Sequence, residues 1–308
     1  MSCGPAGDVA RSTDRPRSET AGRGPARTFL RTADGVSIDA VYDPGTAAGD
    51  TSAQPSGRPV FVVAHGFTGD VDRPHVRRVV SVFRRYGAVV AFSFRGHGAS
   101  GGRSTVGDRE VLDLAAAVAW ARRLGHARVV TVGFSMGGSV VLRHAALCGG
   151  GRGAGDADGG RDGLRAPEER FTDAQAHEGR TDAVVSVSAP ARWYYRGTAP
   201  MRRLHWLVTR PVGRLVGRYG FRTRIHHREW DPVPLSPVQA VPRIAPAPLL
   251  IVHGDRDAYF PLDHPRMLAA AAGDHGELWV EPGMGHAENA AADDLLERIA
   301  RWALAQGG

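Results

Sequence analysis

The sequence contains no lysine: all 39 of its basic residues are arginine, set against 32 Asp and Glu for a formal net charge of +7. The same chain is rich in Ala, Gly and Pro, a bias that GC-rich coding imposes, so the missing lysine excludes no function by itself. Cysteine is almost missing too. Cys3 lies in an N-terminal tail and Cys148 near a helix end, which excludes a disulfide framework and a thiolate metal site; no metal and no cofactor is expected. No apolar run approaches the roughly 20 residues that cross a bilayer. Residues 1–27 also lack the apolar segment of a secretory signal, so the expectation is a cytoplasmic protein. One further absence is local: residues 183–228 hold ten Arg and no Asp or Glu. The positive balance resides there, because without those ten arginines the net charge turns negative.

What is present suffices for one large α/β domain or two small ones, with 308 residues of which 42% are hydrophobic. Residues 1–27 carry no hydrophobic period and read as a disordered tail; Asp8, Asp14, Glu19 and the lack of aromatics argue against a nucleic-acid arm. Residues 28–42 hold two short strand-like runs about the turn Ala33-Asp34-Gly35, an antiparallel hairpin. Continuous apolar runs at 59–64, 88–92, 128–134, 182–189 and 248–252 read as strands covered on both faces. Between them, helical spacing recurs at Val76, Val79, Val80 and Phe83, and again from Asp108, the expected N-cap, to Leu124. The alternation implies βαβ units and a mostly parallel sheet. Residues 149–181 are too polar to offset their own ordering and read as a flexible insertion. Residues 190–246 break the βαβ rhythm as a cap does, with Met201, Leu204, Leu207 and Val208 on one helical face and Leu215, Val216 and Tyr219 continuing after Pro211. Residues 247–308 resume the core.

The chemistry gathers where strands end. Gly133-Phe-Ser135-Met-Gly137 is a G-x-S-x-G pattern between a strand and a helix, the setting of a nucleophile elbow. A serine hydroxyl needs a base, and the base an orienting acid. His286 after the last strand is the candidate base and Asp257 after the preceding one the candidate acid, with Asp255 as its neighbouring competitor. His65 and His97 read as structural histidines, and Glu288 and Asp231 have no motif behind them.

Taken together these segments resemble the α/β-hydrolase fold family over residues 28–306 apart from the two insertions, and within it the lysophospholipase-like and monoacylglycerol-lipase-like branch. The resemblance rests on the order Ser135, Asp257, His286; on His65-Gly66-Phe67; on Arg95-Gly-His-Gly-Ala-Ser100; and on His253-Gly-x-x-Asp257-x-x-x-Pro261, where the later aspartate is the acid. It implies an oxyanion hole from the backbone N–H groups of Phe67 and Met136, and a serine hydrolase acting on esters or thioesters through an acyl-enzyme. An acyltransferase on the same scaffold is the near alternative, and a non-catalytic basic binding protein the remote one. The expected partner is a small acyl substrate, with no nucleic acid. Trp193, Tyr194, Tyr195 and Trp206 of the cap are candidates to line its pocket. In the ordinary form of such a lid the apolar stripe packs on the core and the arginines are solvated; the alternative is contact with an anionic substrate or a membrane surface.

Overall fold

The computed structural model describes residues 25–46, 58–149, 172 and 177–306. Most of the expected tail, Cys3 and most of the expected flexible insertion lie outside the described residues. The apolar runs form β3 (Val60–Ala64), β4 (Ala88–Phe92), β5 (Val129–Phe134), β6 (Ala183–Val187) and β7 (Leu249–Gly254), every residue of which is buried. With the hairpin β1 (Ala26–Arg31) and β2 (Ser37–Asp43), and the edge strand β8 (Gly276–Glu281), they make one sheet in the order β1-β2-β4-β3-β5-β6-β7-β8. β2 runs antiparallel to both its neighbours, and every other pairing is parallel. Ala26 and Arg27 therefore belong to the sheet and not to the tail. Arg27 is held by Asp39 at 2.6 Å and Asp72 at 2.9 Å, partners too distant in sequence to mark the strand's start.

Period-two alternation sorts the strand residues into two cores. Phe61, Val63, Val130 and Val132 pack with α1 (Pro74–Phe83) and the last helix, α8 (Asp293–Ala305). Val60, Val62 and Val129 face the other way, onto α2 (Glu110–Arg123), α3 (Met136–Cys148) and α7 (Asp263–Ala272). Cys148 is buried at the end of α3, where burial pushes its thiol up to about 12, so it is inert. Asp108 is not the cap of α2. Arg109 holds that position without a side-chain cap bond, and the carboxylate that organises the approach is Glu110, which accepts from the backbone N–H groups of Thr105, Val106 and Gly107 and from the hydroxyls of Ser104 and Thr105.

The chain between β6 and β7 builds a cap from α4 (Ala199–Thr209) and α5 (Pro211–Gly220), and returns through α6 (Pro237–Ala240). The return segment is stitched to the loop after β4 by bridges from Thr223 to His97 and from Ile225 to Ser104. Of the expected apolar stripe, the α4 part turns inward, with Met201 buried and Leu204, Leu207 and Val208 half-buried, while the part in α5 does not. In α5 the buried residues are Gly213 and Gly217, while Leu215, Val216 and Tyr219 are 55%, 43% and 75% exposed. The reason is close approach: a Cβ on Gly213 would stand 2.5 Å from the Trp206 carbonyl oxygen, and one on Gly217 2.9 Å from Ile225. Only glycines let α5 lie this near its neighbours, so its large side chains turn outward.

Candidate active site

Ser135 sits between β5 and α3 with φ 52° and ψ −111°, a left-handed conformation that costs a non-glycine residue of the order of 1–3 kcal/mol. The strain persists because the flanking glycines let α3 and β3 crowd in. A Cβ on Gly133 would collide with the Gly137 carbonyl, and one on Gly137 with the carbonyls of Ala64 and His65. The Ser135 N–H is tied to the Val187 carbonyl of β6 at 2.8 Å, which fixes the turn against the sheet.

From the ends of β7 and β8 come two further groups. The Ser135 hydroxyl lies 2.9 Å from His286 Nε2, and His286 Nδ1–H donates to Asp257 Oδ2 at 2.7 Å. That second bond fixes the tautomer and leaves Nε2 to accept from the serine. Asp257 Oδ1 accepts from the N–H groups of Tyr259 at 2.8 Å and Phe260 at 3.1 Å. Burial alone would raise the Asp257 carboxyl, but the hydrogen bond and charge of His286, with the Phe260 N–H, outweigh it and hold it below its ordinary value. Asp255 is spent elsewhere, accepting from the Gly283 N–H at 2.6 Å and pinning the loop that carries His286. The His286 ring stacks on Tyr259 with centroids 4.2 Å apart.

These groups lie at a cavity of about 460 Å³ beneath the cap, lined by Phe67, Ser135 and Met136 on the core side. Met136 is the first residue of α3, so its N–H has no acceptor within the helix. Phe67 is central in a turn closed by the Gly69 N–H on the Gly66 carbonyl. Trp193, Tyr194 and Tyr195 line the wall, as do Met201, Leu204 and Val208 of α4. Trp206 does not: it lies on the outer face of α4 beside Arg202 and Arg203, 48% exposed. Two residues beyond Leu204 is about 200° around a helix, which turns Trp206 away from the cavity.

The sequence profile of the Alpha/beta hydrolase family matches residues 60–299. The chain belongs to the alpha/beta hydrolase family. A monoacylglycerol lipase of Mycolicibacterium smegmatis is 28% identical to this hydrolase over 250 residues, 74% of this chain and 81% of the relative. An esterase of Pyrococcus furiosus, 20% identical, superposes with a TM-score of 0.60 over 92% of this chain and 93% of its own. A serine hydrolase of Xanthomonas campestris described as lacking a lid, 18% identical, does so with a TM-score of 0.55 over 92% of this chain and 94% of its own. The two solved structures speak to the fold alone.

Several residues of this hydrolase that position the site carry no motif. Glu288, buried, accepts from the Gly66 N–H at 2.9 Å and so holds the turn that presents Phe67. Ser188 Oγ accepts from the Ala287 N–H, next to His286, at 3.1 Å. Arg143, buried on α3, donates to the carbonyls of Gly107 and Asp108 and clamps the cavity-wall loop that Glu110 organises. His65 and His97 are structural as expected. His65 accepts from the Phe94 N–H at 3.0 Å and donates to the Gly66 carbonyl at 2.6 Å, while His97 donates to the Arg95 carbonyl at 3.0 Å. Arg95 is structural too, joining Asp34 of the hairpin turn to Asp113 of α2. Among the described residues no helix is long and apolar enough to cross a membrane, and no group of three or more His, Cys, Asp or Glu could hold a metal ion.

Proposed function

We propose that this chain is a serine hydrolase of carboxylic esters or thioesters with moderately apolar acyl chains, working through Ser135, His286 and Asp257. The observation that carries the reading is the unbroken relay of 2.9 Å and 2.7 Å from Ser135 through His286 to Asp257 at a cavity of about 460 Å³. That volume falls in the range of about 300–1,000 Å³ usual for small-molecule sites. The name of the Mycolicibacterium relative makes acylglycerols the first substrates to try.

In this mechanism His286 Nε2 takes the proton as Ser135 Oγ bonds to the carbonyl carbon, and the carbonyl oxygen becomes an oxyanion facing the N–H groups of Phe67 and Met136. His286 then hands its proton to the leaving alkoxide or thiolate, leaving an acyl-serine. Water repeats the cycle, with its proton going to His286 and then to Ser135 Oγ as the carboxylic acid departs. Asp257, ionised and enclosed, holds the imidazole in the needed tautomer and balances its transient positive charge.

A fluorophosphonate probe should label the wild type and fail to label Ser135→Ala, and a series of p-nitrophenyl esters from short to long acyl chains should show saturable turnover by the wild type alone. A folded wild type that neither labels nor turns over any ester refutes the proposal.

A further inference from the structure

A second cavity, of about 280 Å³, opens beside α5, and Ser135 is not among its lining residues. Its charged lining is of one sign: Arg103 from the loop after β4, Arg214 and Arg218 from α5, and Arg224 and His227 from the return segment. Arginines on a solvated helix face normally spread out or alternate with acids. Here four of them come from three separate segments to one concavity, and Arg214 and Arg218 stand at i, i+4, where like charges destabilise a helix. Elsewhere in the fold arginines find carboxylates, as Arg27, Arg78, Arg95, Arg122 and Arg298 do. Among the described residues none of the four has one. Arg224 gives one N–H to the Ser100 carbonyl, Arg214 donates from one guanidinium nitrogen to the carbonyls of Val208 at 3.4 Å and Thr209 at 2.9 Å, and Arg218 lies 5.5 Å from the Tyr219 ring centroid, which leaves most of the five donors on Arg224 and Arg214 unused.

We propose that this cavity is a binding site for a phosphate-bearing ligand, a phosphomonoester or diphosphate group held by Arg103, Arg214, Arg218 and Arg224. Several oxygens on one centre match several convergent guanidinium forks, and each charge-assisted bond relieves repulsion among the guanidinium groups. Arg214 and His227 line both this cavity and the one at Ser135. A phosphate here therefore stands beside an ester in the larger cavity, a link that rests on the function proposed above; binding of the anion does not. The phosphate has two possible sources, the substrate's own or a phospholipid headgroup. Leu215 connects the site to the second source, since it lines the cavity and also belongs to the exposed apolar strip of α5.

The test is calorimetric titration of the full chain with inorganic pyrophosphate, which needs no turnover and so fails or succeeds independently of the esterase reading. Saturable binding is expected, weakened about tenfold or more, equivalent to about 1.4 kcal/mol, in Arg103→Gln/Arg218→Gln. Both side chains are exposed, so folding is not at stake. Arg31→Gln/Arg123→Gln removes the same charge from exposed positions outside the cavity and should bind as the wild type does. Two further arms separate the sources. If the substrate carries the phosphate, octanoylglycerol phosphate is hydrolysed with a kcat/KM at least about tenfold above that of octanoylglycerol, and the cavity variant loses that preference. If a headgroup supplies it, phosphatidic acid vesicles sediment the protein where phosphatidylcholine vesicles do not, again lost in the variant. No binding of pyrophosphate, or equal weakening in the control pair, overturns the proposal.

Discussion

At the scale of single residues, the site divides into side chains that do chemistry and side chains that hold backbone in place. In the proposed mechanism Met136 contributes through its N–H, so Met136→Ala should lower kcat only modestly where Ser135→Ala lowers it by several orders of magnitude, with circular dichroism showing both folded. Glu288 is a positioning residue of the opposite kind, invisible to pattern because its partner, Gly66, is 222 residues away. Glu288→Ala leaves the Gly66 N–H buried without an acceptor, at a cost of about 1–3 kcal/mol, and frees the turn that carries Phe67. We expect kcat to fall about 10- to 100-fold with KM little changed, and Glu288→Gln, which keeps an acceptor oxygen, to recover most of it; equal loss in both would show that shape rather than the hydrogen bond matters. Ser135 and Asp257 were legible because each follows an apolar strand with a turn-rich signature, and His286 because it lies in a glycine-rich loop after the last strand. Glu288 and Ser188 were not, since a carboxylate or hydroxyl that receives a remote backbone N–H leaves no trace in its own neighbourhood.

Among the elements, the strands were read closely and the cap less well. A strand buried on both faces is written as a continuous apolar run, so β3 to β7 declare themselves. A cap helix has two surfaces of unlike kind, and the alternation in α5 gives the period without saying which side faces in. There the decisive residues are Gly213 and Gly217, whose role is a close approach that only the folded neighbour defines. The same logic misassigned Trp206, which shares α4 with cavity-lining Leu204 but lies on its far side. Gly213→Ala should push α5 away from α4, lower the melting temperature and raise KM, because α4 carries Met201, Leu204 and Val208 of the cavity wall. Leu215→Ser, on the exposed face of the same helix, should alter stability by no more than about 0.5 kcal/mol, read by urea unfolding.

For the whole molecule, buried histidines set how it meets acid. Burial lowers His144 to about 3, and burial lowers His264 to about 4. An unfolded chain takes up these protons below about pH 6.5, while the folded chain refuses them until the lower values. The unfolded state therefore binds more protons in that window, and stability falls as pH drops from about 6.5 towards 4 by an amount on the order of 2 kcal/mol per histidine. Melting curves across that range should show the fall. His264→Asn, whose side-chain oxygen can replace Nδ1 as acceptor for the Ala191 N–H, should make it shallower; an unchanged slope would remove His264 from the account. The sheet itself has a kinetic side. β6 and β7 pair in register although the whole cap is threaded between Val187 and Leu249. Each doubling of a closed loop costs only about 0.6 kcal/mol of entropy, so a cap of this length burdens the β6–β7 closure by roughly 2 kcal/mol over a short connector, whatever its sequence. Closure is thus nearly indifferent to the length of what is spliced there, and a chain with α4 and α5 exchanged but Ala240, Val241 and Ile244 of the return segment kept in the core should still find the same sheet, leaving those two helices to diverge at the pace of substrate choice rather than of stability.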